Sequence, residues 1–189
     1  GFSKKLNADQ YEESIEDNTF IAYLSKHEID KGDVFFLPAG RVHAIGAGAF
    51  IAEIQQTSDI TYRIYDFNRT DAAGNKRELH TELAKDAINF DDLDGGLIKY
   101  AEQKNERVEL KSCEYFTTNL LEITEEKELD YKNLDSFVIY ICTQGKAEIT
   151  DNNNNTISIK QGESILIPAS TENIKIKPAG NVNLLEAYI

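Results

Sequence analysis

The sequence is poor in several residue types whose absence limits what the protein can be. Its 189 residues include no methionine, no tryptophan and only three prolines. Because methionine is missing even at position 1, we expect that the natural start has been removed or that a longer polypeptide contains this chain. No apolar run approaches the roughly 18 residues of a membrane-spanning helix. No basic segment followed by an apolar one suggests a signal peptide.

Cysteine and positive charge are also scarce. Two thiols, Cys113 and Cys142, without a close-spaced motif are typical of a reducing compartment, so we expect a cytoplasmic protein without a disulfide. Lys and Arg number 20 against 33 Asp and Glu, which gives a net charge of −13. Such a chain repels nucleic acid and anionic membranes, so neither is expected as a partner. A phosphorylated substrate would depend on individual arginines or lysines.

The remaining pattern is one of short elements. Helices are predicted at residues 8–17, with Asn7 as N-cap, and near 20–25 and 81–89. The acidic, glycine-containing stretch 91–96 is a plausible linker, so we expect domains at 1–90 and 97–189. Two short strands divided by a turn at 31–33 are predicted within 28–37. Further strands, separated by turn signals, are predicted at 49–56, 60–66, 106–111, 113–123, 127–131, 136–143, 145–150, 155–160, 163–167, 172–177 and 182–188.

One motif occurs twice, 130 residues apart. The motif consists of glycine and an acidic residue, four mostly apolar residues, and Pro-Ala. It runs from Gly32 to Ala39 in the first copy and from Gly162 to Ala169 in the second. Repeated hairpins of this kind among short strands indicate a mainly β protein of two cupin-type jelly-roll barrels with a few short helices. The first copy leads to His43, whereas the matching position in the second copy is Asn173. We therefore expect metal binding only in the first barrel and a structural role for the second.

Three side chains near the first copy are candidates for chemistry. His43 offers an imidazole that can ligate a metal, although a single histidine after a strand is often structural. Arg63 offers a planar cation for a phosphate or a developing oxyanion, or else it pairs with Glu53 or Asp66. Glu53 could act as a general base or metal ligand, or could be the partner in that same ion pair.

These segments resemble type I mannose-6-phosphate isomerases in their short bacterial form. The residues that carry the resemblance are GDVFFLPAGRVHAIG at 32–46, AEIQQTSDITYRIYD at 52–66 and RELH at 77–80. The resemblance implies the C-terminal portion of a zinc enzyme that interconverts mannose 6-phosphate and fructose 6-phosphate. It also implies roles for three residues. His43 would be the last zinc ligand, Arg63 the catalytic arginine and Glu53 an acidic residue of the active-site strand.

The same resemblance implies that part of the metal site is missing. The family's other zinc ligands precede the region matched here, so the first barrel is expected to be incomplete and this chain alone inactive. Two alternatives remain open. The chain could be a non-catalytic cupin module that binds a sugar phosphate, or a purely structural half-domain.

Overall fold

The computed structural model describes residues 1–58, 60–67, 69–93 and 95–189, and it confirms a mainly β fold. The chain forms two compact units. The first unit comprises residues 1–49 and 57–98, and the second comprises 50–56 and 99–189. The domain limits expected from the sequence, 1–90 and 97–189, stay a prediction.

The helices of the first unit lie close to the predicted positions. Helix α1 spans Ala8–Glu16, and Asn7 caps it through a reciprocal pair of hydrogen bonds with Gln10, of 2.8 and 3.1 Å. A 3₁₀ turn covers Phe20–Tyr23, and helix α2 spans Thr81–Ala87. Within the described ranges, no helix combines the length and the apolar character needed to span a bilayer.

Aromatic side chains form the core of the first unit. Phe2, Tyr11, Phe20 and Phe90 contact one another, and the rings of Tyr11 and Phe20 meet edge to face with centroids 5.5 Å apart. The hydroxyl of Tyr11 donates to the carbonyl of Thr81 at 2.9 Å. This bond links helix α1 to the first residue of helix α2.

The strands predicted in the first half of the chain are largely wrong. Only Val34–Phe35 (β1) forms within the predicted 28–37, and it pairs antiparallel with Leu97–Ile98 (β2). Residues 49–56 and 60–66 form no strand. Alternating polar and apolar residues predict which face a strand would present, but a strand is stable only where a neighbouring segment pairs with its backbone.

The strands predicted from residue 106 onward are confirmed, and all are antiparallel to their neighbours. They form a five-stranded sheet, β3-β4-β11-β6-β9, and a four-stranded sheet, β5-β10-β7-β8. Their bounds are Arg107–Ser112 (β3), Thr117–Ile123 (β4), Lys127–Asp130 (β5), Val138–Gln144 (β6), Lys146–Asp151 (β7), Thr156–Lys160 (β8), Ser164–Ile167 (β9), Asn173–Pro178 (β10) and Val182–Tyr188 (β11).

The two sheets enclose an apolar core. Side chains from both sheets, including Leu121, Ile149, Ile176 and Leu184, are at most 2% exposed. Full burial of one such side chain stabilises the fold by about 1.5–3 kcal/mol. Because successive residues of a strand face opposite sides of a sheet, the register of each strand is fixed by which alternate residues reach this core.

The repeated sequence motif has the same local geometry in both copies. Gly32 and Gly162 adopt left-handed φ angles of 97° and 86°. In the first copy the carboxylate of Asp33 accepts from the backbone N–H three residues earlier, at 2.8 Å. In the second copy Glu163 does the same at 3.0 Å. The glycine–acid pair therefore stabilises a turn. The glycine adopts the left-handed φ angle, and the acidic side chain accepts a hydrogen bond from a backbone N–H of the turn.

Two glycines of the second unit give a matched test of backbone packing. Gly145 and Gly162 both have left-handed φ angles, but a Cβ on Gly145 would lie 2.2 Å from the carbonyl oxygen of Asn181, whereas one on Gly162 would meet nothing within 4 Å. Gly162→Ala should cost about 1–2 kcal/mol of unfolding free energy through conformation alone. Gly145→Ala should cost clearly more, measured by urea unfolding followed by circular dichroism. Equal losses would show that this close approach is irrelevant to stability.

Candidate functional site

His43 lies at the surface with one ring nitrogen in contact with the backbone. Its side chain is exposed, and its Nδ1 lies 3.0 Å from the carbonyl oxygen of Arg41. Since a carbonyl oxygen only accepts hydrogen bonds, Nδ1 is the donor, and in the neutral tautomer with this proton the lone pair is on Nε2. Histidines that bind metals commonly fix their tautomer through such a bond to a backbone carbonyl. The geometry therefore suits Nε2 as a metal-binding atom.

A buried ion pair positions the segment that leads to His43. The guanidinium of Arg41 donates to both carboxylate oxygens of Asp92, through Nε at 2.5 Å and Nη2 at 2.8 Å, and to the carbonyl of Phe36 at 2.7 Å. The two charged side chains are only 8% and 6% exposed. Removing one partner from such a pair leaves a buried charge unpaired. Arg41 is thus a positioning residue to which sequence reasoning gave no role.

Arg63 is held through its backbone by His80. The N–H of Arg63 donates to Nδ1 of His80 at 3.0 Å, and its carbonyl accepts from the N–H of His80 at 2.7 Å. The half-buried guanidinium donates through Nη1 to the carbonyl of Glu78 at 3.2 Å. The segment RELH, which the sequence singled out without a role, therefore fixes the backbone of the candidate catalytic arginine.

The ion pair between Arg63 and Asp66 that the sequence left open is not present. Asp66 is buried and accepts instead from Arg77, through Nε at 2.8 Å and through Nη2. Those hydrogen bonds lower the pKa of the Asp66 carboxyl. Among the described residues of the first unit, no carboxylate lies within ion-pair distance of the Arg63 guanidinium. None of these carboxylates therefore prevents the guanidinium of Arg63 from pairing with a ligand.

Glu53 belongs to the second unit, whereas His43 and Arg63 belong to the first. Glu53 is exposed, and its segment forms no strand, so the expected placement on an active-site strand is not found. In the described part of the first unit, no hydrogen bond joins His43 to Arg63. The described residues also contain no group of three or more His, Cys, Asp or Glu side chains arranged to hold a metal. The roles of His43, Glu53 and Arg63 remain predictions.

Sequence reasoning missed a buried polar cluster in the second unit. Glu186 on β11 is completely buried. Its carboxylate accepts from Arg107 at 2.8 and 2.9 Å, from Asn119 at 2.7 Å, from Tyr140 at 3.0 Å and from Tyr131. Burial, together with the negative charge of Glu186, raises the pKa of both tyrosines, which stay protonated and donate.

A sequence signal for this cluster did exist. Along β11, Val182 and Leu184 face the core, so the next residue on the same face is Glu186. A glutamate at a core position needs partners, because an isolated buried charge is strongly unfavourable. The alternation within 182–188 therefore indicates a polar site in the second barrel, for which only a structural role was expected.

The bond between His80 and Arg63 can be tested with isosteric variants. His80→Ala removes the acceptor and should raise the hydrogen-exchange rate of the Arg63 amide by up to about tenfold, since one hydrogen bond contributes about 0.5–1.5 kcal/mol. His80→Asn should retain protection, because its Oδ1 lies where Nδ1 does. His80→Gln, whose oxygen lies one bond farther out, should behave like alanine. Unchanged exchange in the alanine variant would contradict this contact.

Comparison with known proteins gives a consistent result. Residues 106–188 match the family described as "Mannose-6-phosphate isomerase, cupin domain". Mannose-6-phosphate isomerase ManA of Bacillus subtilis is 30% identical over 165 residues, 86% of this chain and 51% of that protein. A mannose-6-phosphate isomerase of Streptococcus mutans is 49% identical over 67 residues, 35% of this chain and 21% of that protein.

A solved structure matches nearly the whole chain. The crystal structure of the mannose 6-phosphate isomerase from Bacillus subtilis superposes with a TM-score of 0.85 at 28% identity, covering 98% of this chain and 58% of that one. The chain therefore spans only about half the length of the ManA relative and of this solved protein.

Proposed function

We propose that this chain, which is related to the mannose-6-phosphate isomerases and carries their cupin domain at residues 106–188, belongs to an enzyme that interconverts mannose 6-phosphate and fructose 6-phosphate. The observation on which the proposal most depends is the match of nearly the whole chain to the solved Bacillus enzyme. The imidazole of His43, and the guanidinium of Arg63, which forms no ion pair with the described carboxylates of its unit, are the groups we assign to this reaction.

The residues present fit one part of a zinc site. His43 would bind through Nε2, with its ring held by the carbonyl of Arg41. A catalytic zinc ion needs about three protein ligands, so the others would come from residues beyond those that the structure describes. Zinc, when bound, polarises the carbonyl and hydroxyl oxygens of the substrate as a Lewis acid. For this reason we expect the 189-residue chain alone to be inactive.

The chain's own residues would carry the proton and the charge. In the forward direction a proton leaves C2 of mannose 6-phosphate, a cis-enediol forms, and a proton is added at C1 while the hydroxyl proton moves from O2 to O1. Glu53 is our candidate for the carboxylate that moves the proton between the two carbons. Arg63, a permanent cation held through its backbone by His80, would stabilise negative charge that develops on oxygen.

A second candidate function is a non-catalytic module that binds a sugar phosphate. The observation that favours it is the lack, among described residues, of three side chains grouped to hold a metal. In that case Arg63 would bind the phosphate group of the ligand rather than stabilise a transition state. The cytoplasmic location expected from the two thiols stays a prediction under either function.

Arg63→Ala, made in the longest gene product that contains this chain, should leave bound zinc unchanged and lower kcat by about 10²–10³-fold, the usual cost of losing one oxyanion-stabilising group. Zinc content by elemental analysis and turnover in a coupled isomerase assay give the two readouts. Arg69→Ala is the matched control, since Arg69 is an exposed arginine that lies over the ring of Phe67. Near-normal turnover of the Arg63 variant would remove Arg63 from the mechanism.

The same assay on two lengths of protein separates the candidate functions. An active longer product with an inert 189-residue chain supports the isomerase. Inactivity of both, with measurable binding of mannose 6-phosphate by calorimetry, supports the binding module. Inactivity of both without such binding would leave a structural role, and would contradict both functions.

A further inference from the structure

A pocket in the second unit is lined by polar groups that could form hydrogen bonds with a ligand. Its volume is about 330 Å³, near the lower limit of small-molecule sites, which is about 300 Å³. It is lined by Arg107, Asp130, Tyr131, Asn133, Leu134 and Tyr188. All of these residues belong to the second unit, so the pocket does not involve His43 or Arg63.

Arg107 connects this pocket to the buried cluster around Glu186. Its Nε and Nη2 are both used on the Glu186 carboxylate, at 2.8 and 2.9 Å, and its guanidinium lies 5.5 Å from the ring centre of Tyr131. The Arg107 side chain is nevertheless 36% exposed, and its contacts with Glu186 use only Nε and Nη2 of the guanidinium. The pocket therefore holds a hydrogen-bond donor whose position is fixed before any ligand arrives.

Other pocket residues add open acceptors and donors. One carboxylate oxygen of Asp130 accepts from the N–H of Lys132 at 2.9 Å, and among the described residues the second oxygen has no hydrogen-bond donor. In the described structure, neither the side-chain amide of Asn133 nor the hydroxyl of Tyr188 forms a hydrogen bond. The pocket thus offers a donor on Arg107, an acceptor on Asp130, and two groups, on Asn133 and Tyr188, that can donate and accept. Such a set suits a ligand with several hydroxyls, because each hydroxyl both donates and accepts.

The charges around the pocket disfavour binding of an anion. The positive charge of Arg107 is neutralised by Glu186, and Asp130 adds a negative charge at the pocket. The chain as a whole carries a net charge of −13. A phosphate or carboxylate ligand would therefore be repelled, whereas a neutral molecule would keep the full benefit of the hydrogen bonds. The rings of Tyr131 and Tyr188 offer apolar faces to its carbon skeleton.

Stability alone is a poor explanation for this cluster. Replacing a buried ion pair by well-packed apolar residues is often neutral or stabilising. The rest of the same barrel core is apolar, with Leu121, Ile149 and Leu184 at most 2% exposed. The cluster around Glu186 borders the pocket through Arg107 and Tyr131, which belong to both. A buried charged group that borders a cavity is a candidate for a functional site.

We propose that this pocket binds a neutral polyhydroxylated molecule of monosaccharide size, with Arg107, Asp130 and Asn133 as the hydrogen-bonding residues. The second barrel would then be a ligand-binding barrel and not only a support for the first. The proposal uses no residue of the suggested isomerase site, so it stands or falls separately from that function.

The test titrates the 189-residue chain with mannose, fructose and mannitol, followed by amide chemical shifts in NMR spectra. We expect saturable shifts at residues 130–134 and 188. Asp130→Asn and Asn133→Ala should weaken binding at least tenfold. Asp135→Asn and Asn153→Ala are matched controls, because both residues are exposed, lie in the second unit and do not line the pocket. Arg63→Ala should bind the neutral sugars normally.

Several outcomes would overturn the proposal. Shifts at other residues, or equal weakening by the pocket and control variants, would place binding elsewhere. Tighter binding of mannose 6-phosphate than of mannose at these same amides would overturn the neutral ligand class, and so would saturable shifts with magnesium chloride alone. Absence of saturable shifts with all three sugars would overturn the site itself. Circular dichroism of each variant shows that the fold is retained.

Discussion

Backbone pairing is the constraint on which this structure depends, because a strand without a neighbour leaves its N–H and C=O groups unsatisfied. In the second unit, nine strands satisfy one another in two antiparallel sheets, and their regular alternation creates an enclosed core. That enclosure is what makes a buried carboxylate at Glu186 possible and forces Arg107 to neutralise it. The polar cluster is a consequence of sheet pairing, as much as the apolar core is.

Where strand pairing is sparse, side chains take over the positioning. In the first unit the segment around His43 is anchored by the ion pair of Arg41 with Asp92, and the backbone of Arg63 is anchored by His80. Both anchors are directional, since a guanidinium fork and an imidazole lone pair accept few alternative geometries. The segments that carry His43 and Arg63 can therefore be locally ordered even though residues 60–66 form no strand.

The difference between the units also explains what the sequence could predict. Alternation and turn residues were sufficient for β3–β11, and capping residues were sufficient for α1, because each of these signals is local and its partner lies nearby in the chain. The strands expected at 49–56 and 60–66 failed because alternation carries no information about the partner strand. The role of His80 could not be predicted either, since its contact with Arg63 spans 17 residues and depends on the folded backbone.

The charges of Arg107 and Arg63 are balanced differently by their surroundings. This difference affects which ligands each arginine could bind. Glu186 has its charge cancelled by Arg107 from the same barrel, so whatever enters that pocket meets hydrogen-bonding groups with little net positive charge. Arg63 has its backbone fixed by His80, while the described carboxylates of its unit leave its guanidinium unpaired. A cation that the protein leaves uncompensated favours an anionic ligand or transition state, whereas a compensated one favours a neutral ligand. In an acidic protein of net charge −13, an arginine that forms no ion pair with the described carboxylates of its unit is the better candidate for contact with an anionic group.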